Sequence, residues 1–303
     1  MNWDDLRIFL AVARAESISG AGRALKLDPA TVGRRTQRLE EDLGTPLFAK
    51  SPQGYRLTES GQRLLAHAEA AEQAVSGAAE DALGQTGHLT GQIRIGAPDG
   101  CANYLLPQVA ARIVAANPGL ELQIIALPRV FNLSKREADM AIAVSQPITG
   151  RLTVQRITDY RLHLAASRRY LRKNPRITSL QDLKQHRIVG YIPDMIFDKE
   201  LDYLAELGVE RVDLASNSVS VQFNLLRQGA GVGVAHDFAL PSAGNLVRIL
   251  PDQLELIRSF YLIRHADDRR VDRLNRIAEA LAAGLKAEVA RLEALLDTKG
   301  GVR

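Results

Sequence analysis

The stretch DPATVGRRTQRLEEDLG, residues 28–44, carries the reading of this chain. Asp28 stands where a helix N-cap belongs, Pro29 takes the first helical position, and Gly44 supplies a stop. Between them Val32, Thr36, Leu39 and Leu43 recur at helical spacing and predict one buried face. The same period places Ala30, Gly33, Arg34, Gln37 and Arg38 on or near the opposite, exposed face. Small residues at the start of such a helix allow close approach to base edges, and an arginine one turn on can fork onto a guanine or a phosphate. Pro29, Ala30, Thr31 and Arg34 are therefore candidate base-reading positions.

The flanking segments complete a motif. Leu6, Phe9, Leu10, Val12 and Ala13 predict a first helix; Ile18, Ala21, Ala24 and Leu25 predict a second after the polar break at Glu16-Ser17. Leu47-Phe48 and Tyr55-Arg56-Leu57 read as short strands around a turn at residues 51–54, a candidate wing. A winged helix-turn-helix over residues 1–58 follows, in which Arg35 and Arg38 of the third helix, with Lys50 and Arg56 of the wing, would grip the phosphate backbone of double-stranded DNA. The arginines can also be read as solvated charges paired with Glu40, Glu41 and Asp42, but two short helices before them and a wing after them favour the DNA reading.

Beyond the wing, Thr58-Glu59 can start a helix in which Leu64, Ala68, Ala71, Val75, Ala78 and Ala82 step alternately by four and three residues. Such a seam wants a partner helix, which makes residues 59–90 a linker that dimerises and ends in a Gly-rich hinge at Gly84–Gly91. From there a β/α alternation predicts a parallel α/β domain over residues 91–303. Its strands are expected at 92–97, 120–126, 139–144, 161–166, 187–191, 212–216, 231–235 and 259–264. Its helices are expected at 102–116, 132–137, 179–185, 197–207 and 219–228, and a long amphipathic helix closes the chain.

At 303 residues and 46% hydrophobic composition the chain can bury several cores, which excludes a disordered or fibrous protein. A net charge of +4 permits nucleic-acid binding without requiring it. Cys101 is the only cysteine, so intramolecular disulfides and thiolate-clustered metal centres are excluded, and no cofactor motif is present. No signal-peptide pattern and no apolar run of membrane-spanning length occurs, so a cytoplasmic protein without membrane contact is expected.

Leu6 to Leu64 resembles the DNA-binding domain of the LysR-type transcriptional regulators: Ser17-Ile18, Ala21, Leu25, Val32, Arg34, Leu39-Glu40, Leu43-Gly44, Pro46-Leu47-Phe48, Leu57-Thr58 and Gly61 follow the family's order and spacing. Asp28 and Gly33 depart from it where the family often has serine, and Lys50 stands where the family has arginine. The resemblance extends along the chain through Gly91–Gly96, Leu106-Pro107, Asn117-Pro118, Glu137–Ile142, Asp182-Leu183 and Gly229–Val234. It implies a sequence-specific regulator modulated by a small-molecule effector, a homodimer through the linker helices and a homotetramer through further sensor contacts. It also implies a two-lobed sensor resembling type 2 periplasmic solute-binding proteins, with lobe I at about 91–160 and 237–303 and lobe II at about 161–236.

Ligands of open α/β sheets sit beyond the carboxyl ends of strands, near helix N-termini. That rule selects Asp99, Gly100, Cys101 and Ala102 after the first sensor strand, Arg129 after the second and Ser145 after the third; Tyr191, Asn217, Ser218 and His236 come from the other lobe. Asn217 and Ser218 can instead cap a helix, His236 can serve as a hinge hydrogen-bond partner, and Cys101 can be a reactive thiol or a small buried residue. Two helix starts together with Arg129 suggest an anionic effector, against which Asp99 stands. An enzyme with Cys101 as nucleophile and His163 or His236 as base is the rival reading; no nucleophile signature, phosphate loop or metal-ligand spacing supports it.

Overall fold

The computed structural model describes residues 2–51, 54–82, 88–126, 138–147, 152–204, 207–209 and 211–299. The chain divides into two compact units, Met1–Gly87 and His88–Arg303.

In the first unit three helices, α1 (Trp3–Ala15), α2 (Ile18–Leu25) and α3 (Pro29–Leu43), precede an antiparallel hairpin of β1 (Phe48–Ser51) and β2 (Gly54–Leu57). Each helix start is set by a local side chain: Asn2 accepts from Asp5 N, Ser17 from Gly20 N, and Asp28 from Ala30 N and Thr31 N. Phe9, Leu10, Val12, Ala21, Val32, Leu39 and Leu47 form the core. Thr36 joins it because its hydroxyl donates to Val32 O at 2.9 Å, so no polar group is buried unpaired. Leu43, expected on the same face, is 38% exposed, because the last turn before Gly44 outruns the core.

The wing is tied to α3 by Glu40, whose Oε1 accepts from Leu47 N at 2.7 Å and Phe48 N at 3.0 Å. Helix α4 (Glu59–Ala82) starts immediately beyond it. Leu64 and Ala68, assigned above to a partner-facing seam, pack instead on the winged-helix core, since the first turns of α4 lie against α1 and the hairpin. Arg14 of α1 clamps α4 through a forked pair with Glu72, at 2.7 and 3.2 Å.

In the second unit β3 (Thr90–Ala97) leads into α5 (Asp99–Tyr104) and α6 (Leu106–Ala116), followed by β4 (Gly119–Ala126), β5 (Met140–Ala143) and the long β6 (Leu152–Ser167). Then come α7 (Arg168–Lys173), β7 (Ile188–Gly190), β8 (Leu214–Ala215), α8 (Val219–Arg227), β9 (Val232–His236), β10 (Leu246–Ile249), β11 (Leu256–His265) and α9 (Asp272–Lys299). The described strands form one sheet in the order β4-β3-β5-β11-β6-β9-β7-β8, with β10 paired to β6. Its outer thirds are parallel, but β11 and β6 run antiparallel to each other and to β5 and β9. The all-parallel expectation is thereby corrected: β11 returns in the opposite direction and inserts between β5 and β6, and a hydrophobic run does not encode strand direction. Leu162 of β6 pairs with both Leu256 of β11 and His236 of β9, so one strand joins the two halves.

Two helix expectations also change. The segment 102–116 is two helices broken at Leu105, with Pro107 in the first turn of α6. Among the described residues of 197–207 a short 3-10 turn at Lys199–Leu201 stands where the α-helix was expected; Leu201 and Tyr203 are both buried, and a two-residue spacing cannot share a helical face. The expected helix at 132–137 and the first half of the hinge, residues 84–87, fall outside the described residues.

Candidate functional site

Residues 1–87 contain ten Lys and Arg against twelve Asp and Glu, so attraction to an anionic backbone depends on which cations lack acidic partners. Asp5, 1% exposed, lies beneath α3 and takes two of them: Arg35 Nε reaches its Oδ1 at 2.8 Å, and Arg38 Nη2 reaches Oδ1 and Oδ2 at 2.7 Å. Burial works to raise the Asp5 pKa, but hydrogen bonds and charge from Arg38 and Arg35 outweigh it and hold the carboxyl below its ordinary value. The pair therefore stabilises the unit at neutral pH and loses that contribution as pH falls through the lowered folded-state pKa. Arg35 and Arg38, expected on phosphates, thus have their first partner inside the protein. Arg34 does not: it is exposed, with no hydrogen bond or ion pair to any described residue. Around it Pro29 and Ala30 are exposed, Thr31 is half-buried, and the space about Gly33 is open. Arg56 is exposed on β2; Lys50 pairs through its backbone with Tyr55, and its side chain lies outside the described residues.

In the second unit the carboxyl ends of β3, β5, β7, β8 and β9 converge on a pocket that is partly open to solvent. Of the residues selected from sequence, Asp99, Gly100, Cys101, Tyr191, Asn217 and His236 line it. Ala102 is buried in α5 and off the lining, and Ser145 donates to Asp198 instead of facing the pocket. Ser218 is the N-cap of α8, as its alternative reading had it. Arg129 lies outside the described residues. The sequence reading missed Tyr160, Phe197 and Phe260 on the lining. Tyr160 and Phe260 sit within β6 and β11, where aromatic residues read as ordinary sheet core, so no sequence signal distinguished them.

Burial dominates the electrostatics of the pocket's titratable side chains. Burial pushes His236 down to about 4 despite the opposing charges of Asp237 and Asp99. It also pushes the Cys101 thiol and the Tyr160 and Tyr191 hydroxyls up. A protonated thiol beside a weakly basic imidazole is the reverse of an activated cysteine–histidine pair. His163, the other proposed base, is buried against Asp237 at 2.9 Å, and Asp237 also takes Arg248 at 3.3 Å. Among the described residues no three His, Cys, Asp or Glu side chains are grouped as a metal site requires.

The anion expectation meets an obstacle at one of its three supports, the start of α8. Asp99 Oδ2 already occupies the α8 N-terminus, accepting from Ser220 N at 2.8 Å and Ser218 Oγ at 2.9 Å, while its Oδ1 accepts from Asn103 Nδ2 at 3.0 Å. At that helix end Ser220 N is met by a carboxylate of the chain itself and Val221 N by Ser218 Oγ, while Asp99 is also the first residue of α5.

Comparison with known proteins follows this geometry. Residues 3–62 match the family model described as bacterial regulatory helix-turn-helix protein, lysR family, and residues 86–286 match the LysR substrate binding domain. The chain is 32% identical over 240 residues to the Mau operon transcriptional activator of Paracoccus denitrificans, covering 78% of this chain and 80% of that protein. It is 26% identical over 259 residues to the transcriptional regulator PtxR of Pseudomonas aeruginosa, covering 83% and 82%. The solved structure of a full-length OxyR variant from Pseudomonas aeruginosa shares the fold with a TM-score of 0.71 at 18% identity, over 94% of this chain and 95% of that one.

Proposed function

The chain belongs to the LysR family of helix-turn-helix transcriptional regulators, and from that premise we propose that it reads a promoter operator through the start of α3 and changes its grip when a small molecule enters the pocket of the second unit. Its activity is regulation of transcription, not catalysis. The observation that carries the reading is the contrast on α3: Arg34 is exposed beside small residues and has no partner among the described residues, while Arg35 and Arg38 are held by Asp5. Pro29, Ala30, Thr31 and Arg34 would face bases, and Lys50 and Arg56 would sit on phosphates, with Arg35 and Arg38 presenting whatever donors Asp5 leaves unused. Asp99, Gly100, Cys101, Tyr191, Asn217 and His236 would surround the effector. Among the described residues no helix is long and apolar enough to cross a membrane; a regulator of this family would work in the cytoplasm, where its DNA lies.

The reading is tested by fluorescence anisotropy on DNA from upstream of the gene and its neighbour across a salt series. Arg56→Ala is expected to weaken binding to all sequences and to flatten the slope of log affinity against log salt by about 0.9, one phosphate contact. An unchanged slope would take Arg56 out of the interface.

LysR-type regulators assemble as oligomers, and the middle of α4 is the segment proposed to pair. Val75 is 50% exposed on this helix, at the heptad spacing from Ala71 and Ala78, beyond the part that packs on the winged-helix core. Two such units joined there, and two dimers joined through the second units, would give a tetramer spanning separated half-sites. Val75→Asp buries a carboxylate in that seam and is expected to shift the full-length protein to a smaller species in light scattering at micromolar concentration. A wild-type protein that is already monomeric under those conditions would remove the seam as an interface.

A further inference from the structure

The identity of the effector follows from none of the contacts above, but its chemical class is written on the pocket walls, given the effector-binding reading. His236 is 5% exposed, and its ring is set by Tyr160 at 5.5 Å and 24°, by Phe238 at 4.9 Å and by Tyr203 at 6.2 Å on its edge. Its nitrogens make no hydrogen bond to any described residue. The Cε1–Nε2 edge faces the pocket floor: a methyl group on Gly100 would stand 3.6 and 3.7 Å from those atoms. Tyr191 and Asn217 line the same pocket, and the Tyr191 hydroxyl and Asn217 amide are likewise without a partner among the described residues. Three polar side chains on one lining, none committed to another described residue, can all turn their hydrogen-bonding capacity to a molecule that enters the pocket.

The charge on the described lining is a single carboxylate, Asp99, and its oxygens are already taken by Ser218, Ser220 and Asn103. An entering anion would lie near that carboxylate with no described cation on the walls to offset it. A cation would find Asp99 already committed to the end of α8. Tyr160, Phe197 and Phe260 supply flat apolar walls. We propose that the pocket takes a small, flat, uncharged molecule offering both a hydrogen-bond donor and an acceptor, a carboxamide or neutral nitrogen heterocycle, whose polar edge is read by His236, Tyr191 and Asn217. The neutrality of His236 at physiological pH, with its pKa lowered to about 4, leaves it one N–H and one lone pair for such an edge.

The experiment is a thermal-shift titration of the full-length protein, without DNA, against one-ring sets that differ only in charge: benzamide, benzoate and benzylamine, and nicotinamide and nicotinate. A ligand that binds only the native state raises the melting temperature by mass action. The amides are expected to stabilise at concentrations where acids and amine do not. Half-saturation should rise by about tenfold in His236→Phe, which keeps the ring stack but removes both nitrogens, and in Asn217→Ala, whose half-buried position makes folding safe. Stabilisation led by the acids or the amine, and weakened by Asn217→Ala, would keep this cleft as the effector site but overturn the class. Stabilisation by any member that survives both substitutions would overturn the cleft itself, and no stabilisation by either amide would overturn the class. Operator binding is read separately, so none of these results bears on the DNA-binding assignment.

Discussion

Arg34→Ala is expected to lower affinity for a specific operator by about 1–3 kcal/mol, roughly ten- to a hundredfold, while leaving binding to unrelated DNA much less changed. The size follows from the setting of this arginine. It projects from the second turn of α3, beside a helix start made of Pro29, Ala30 and Thr31, and has no partner among the described residues to give up on binding. A guanidinium in that state can spend its whole fork on the two major-groove acceptors of a guanine. Asp5 makes the neighbouring arginines behave differently. Removing Arg38 would strip Asp5 of its forked partner, and the loss would be read first in folding, because a buried carboxylate would be left with fewer charges against it. Measuring Arg34→Ala on operator and on scrambled DNA separates the alternatives. Equal loss on both would move Arg34 from the bases to the phosphates.

Gly61→Ala is expected to destabilise the winged-helix unit by about 1–3 kcal/mol, in the range for forcing atoms into a packed site. A domain of this size then melts roughly 4–8 °C lower for each kcal/mol. A methyl group at this position would stand 2.1 Å from Leu47 O and 2.9 Å from Leu57 Cδ2. Neither neighbour has room to yield. Leu47 O accepts from Thr58 N at 2.9 Å, Leu47 N is held by Glu40, and Thr58 Oγ1 both donates to Pro46 O at 2.7 Å and accepts from Gly61 N at 3.0 Å. The displacement is therefore passed to the wing, and operator binding should fall with stability. Gly33→Ala is the control, since nothing lies within 4 Å of its added methyl and a helical Gly→Ala change is neutral to stabilising by about 1 kcal/mol. Circular dichroism melts of the two variants decide it: a Gly61→Ala protein as stable as wild type would show that the wing can shift freely.

The two sites differed in how far they could be read in advance. The helix-turn-helix was legible because its signals are local: Asp28 bonds the two amides that follow it, Ser17 does the same for α2, and Gly44 closes α3 in the left-handed conformation. The pocket was half legible. The rule that ligands gather at strand ends selected Asp99, Cys101, Tyr191, Asn217 and His236, but Tyr160 and Phe260 lie on strands whose neighbours were unknown until β11 took its place between β5 and β6.

Residues that cap, punctuate and repeat within a few positions were enough to establish a winged helix-turn-helix, a long following helix and an α/β unit, because those signals act between atoms the chain already holds close together. Only the tertiary structure decided which charges remain available. Asp5 claims Arg35 and Arg38 from thirty residues away, and Asp99 caps the start of α8 from more than a hundred, so neither an Arg34 without a partner among the described residues nor a pocket carboxylate already committed could be seen in the local pattern. A charge is neutralised by whatever the fold brings within hydrogen-bond distance of it, and that distance is a property of the packed chain, not of spacing along it.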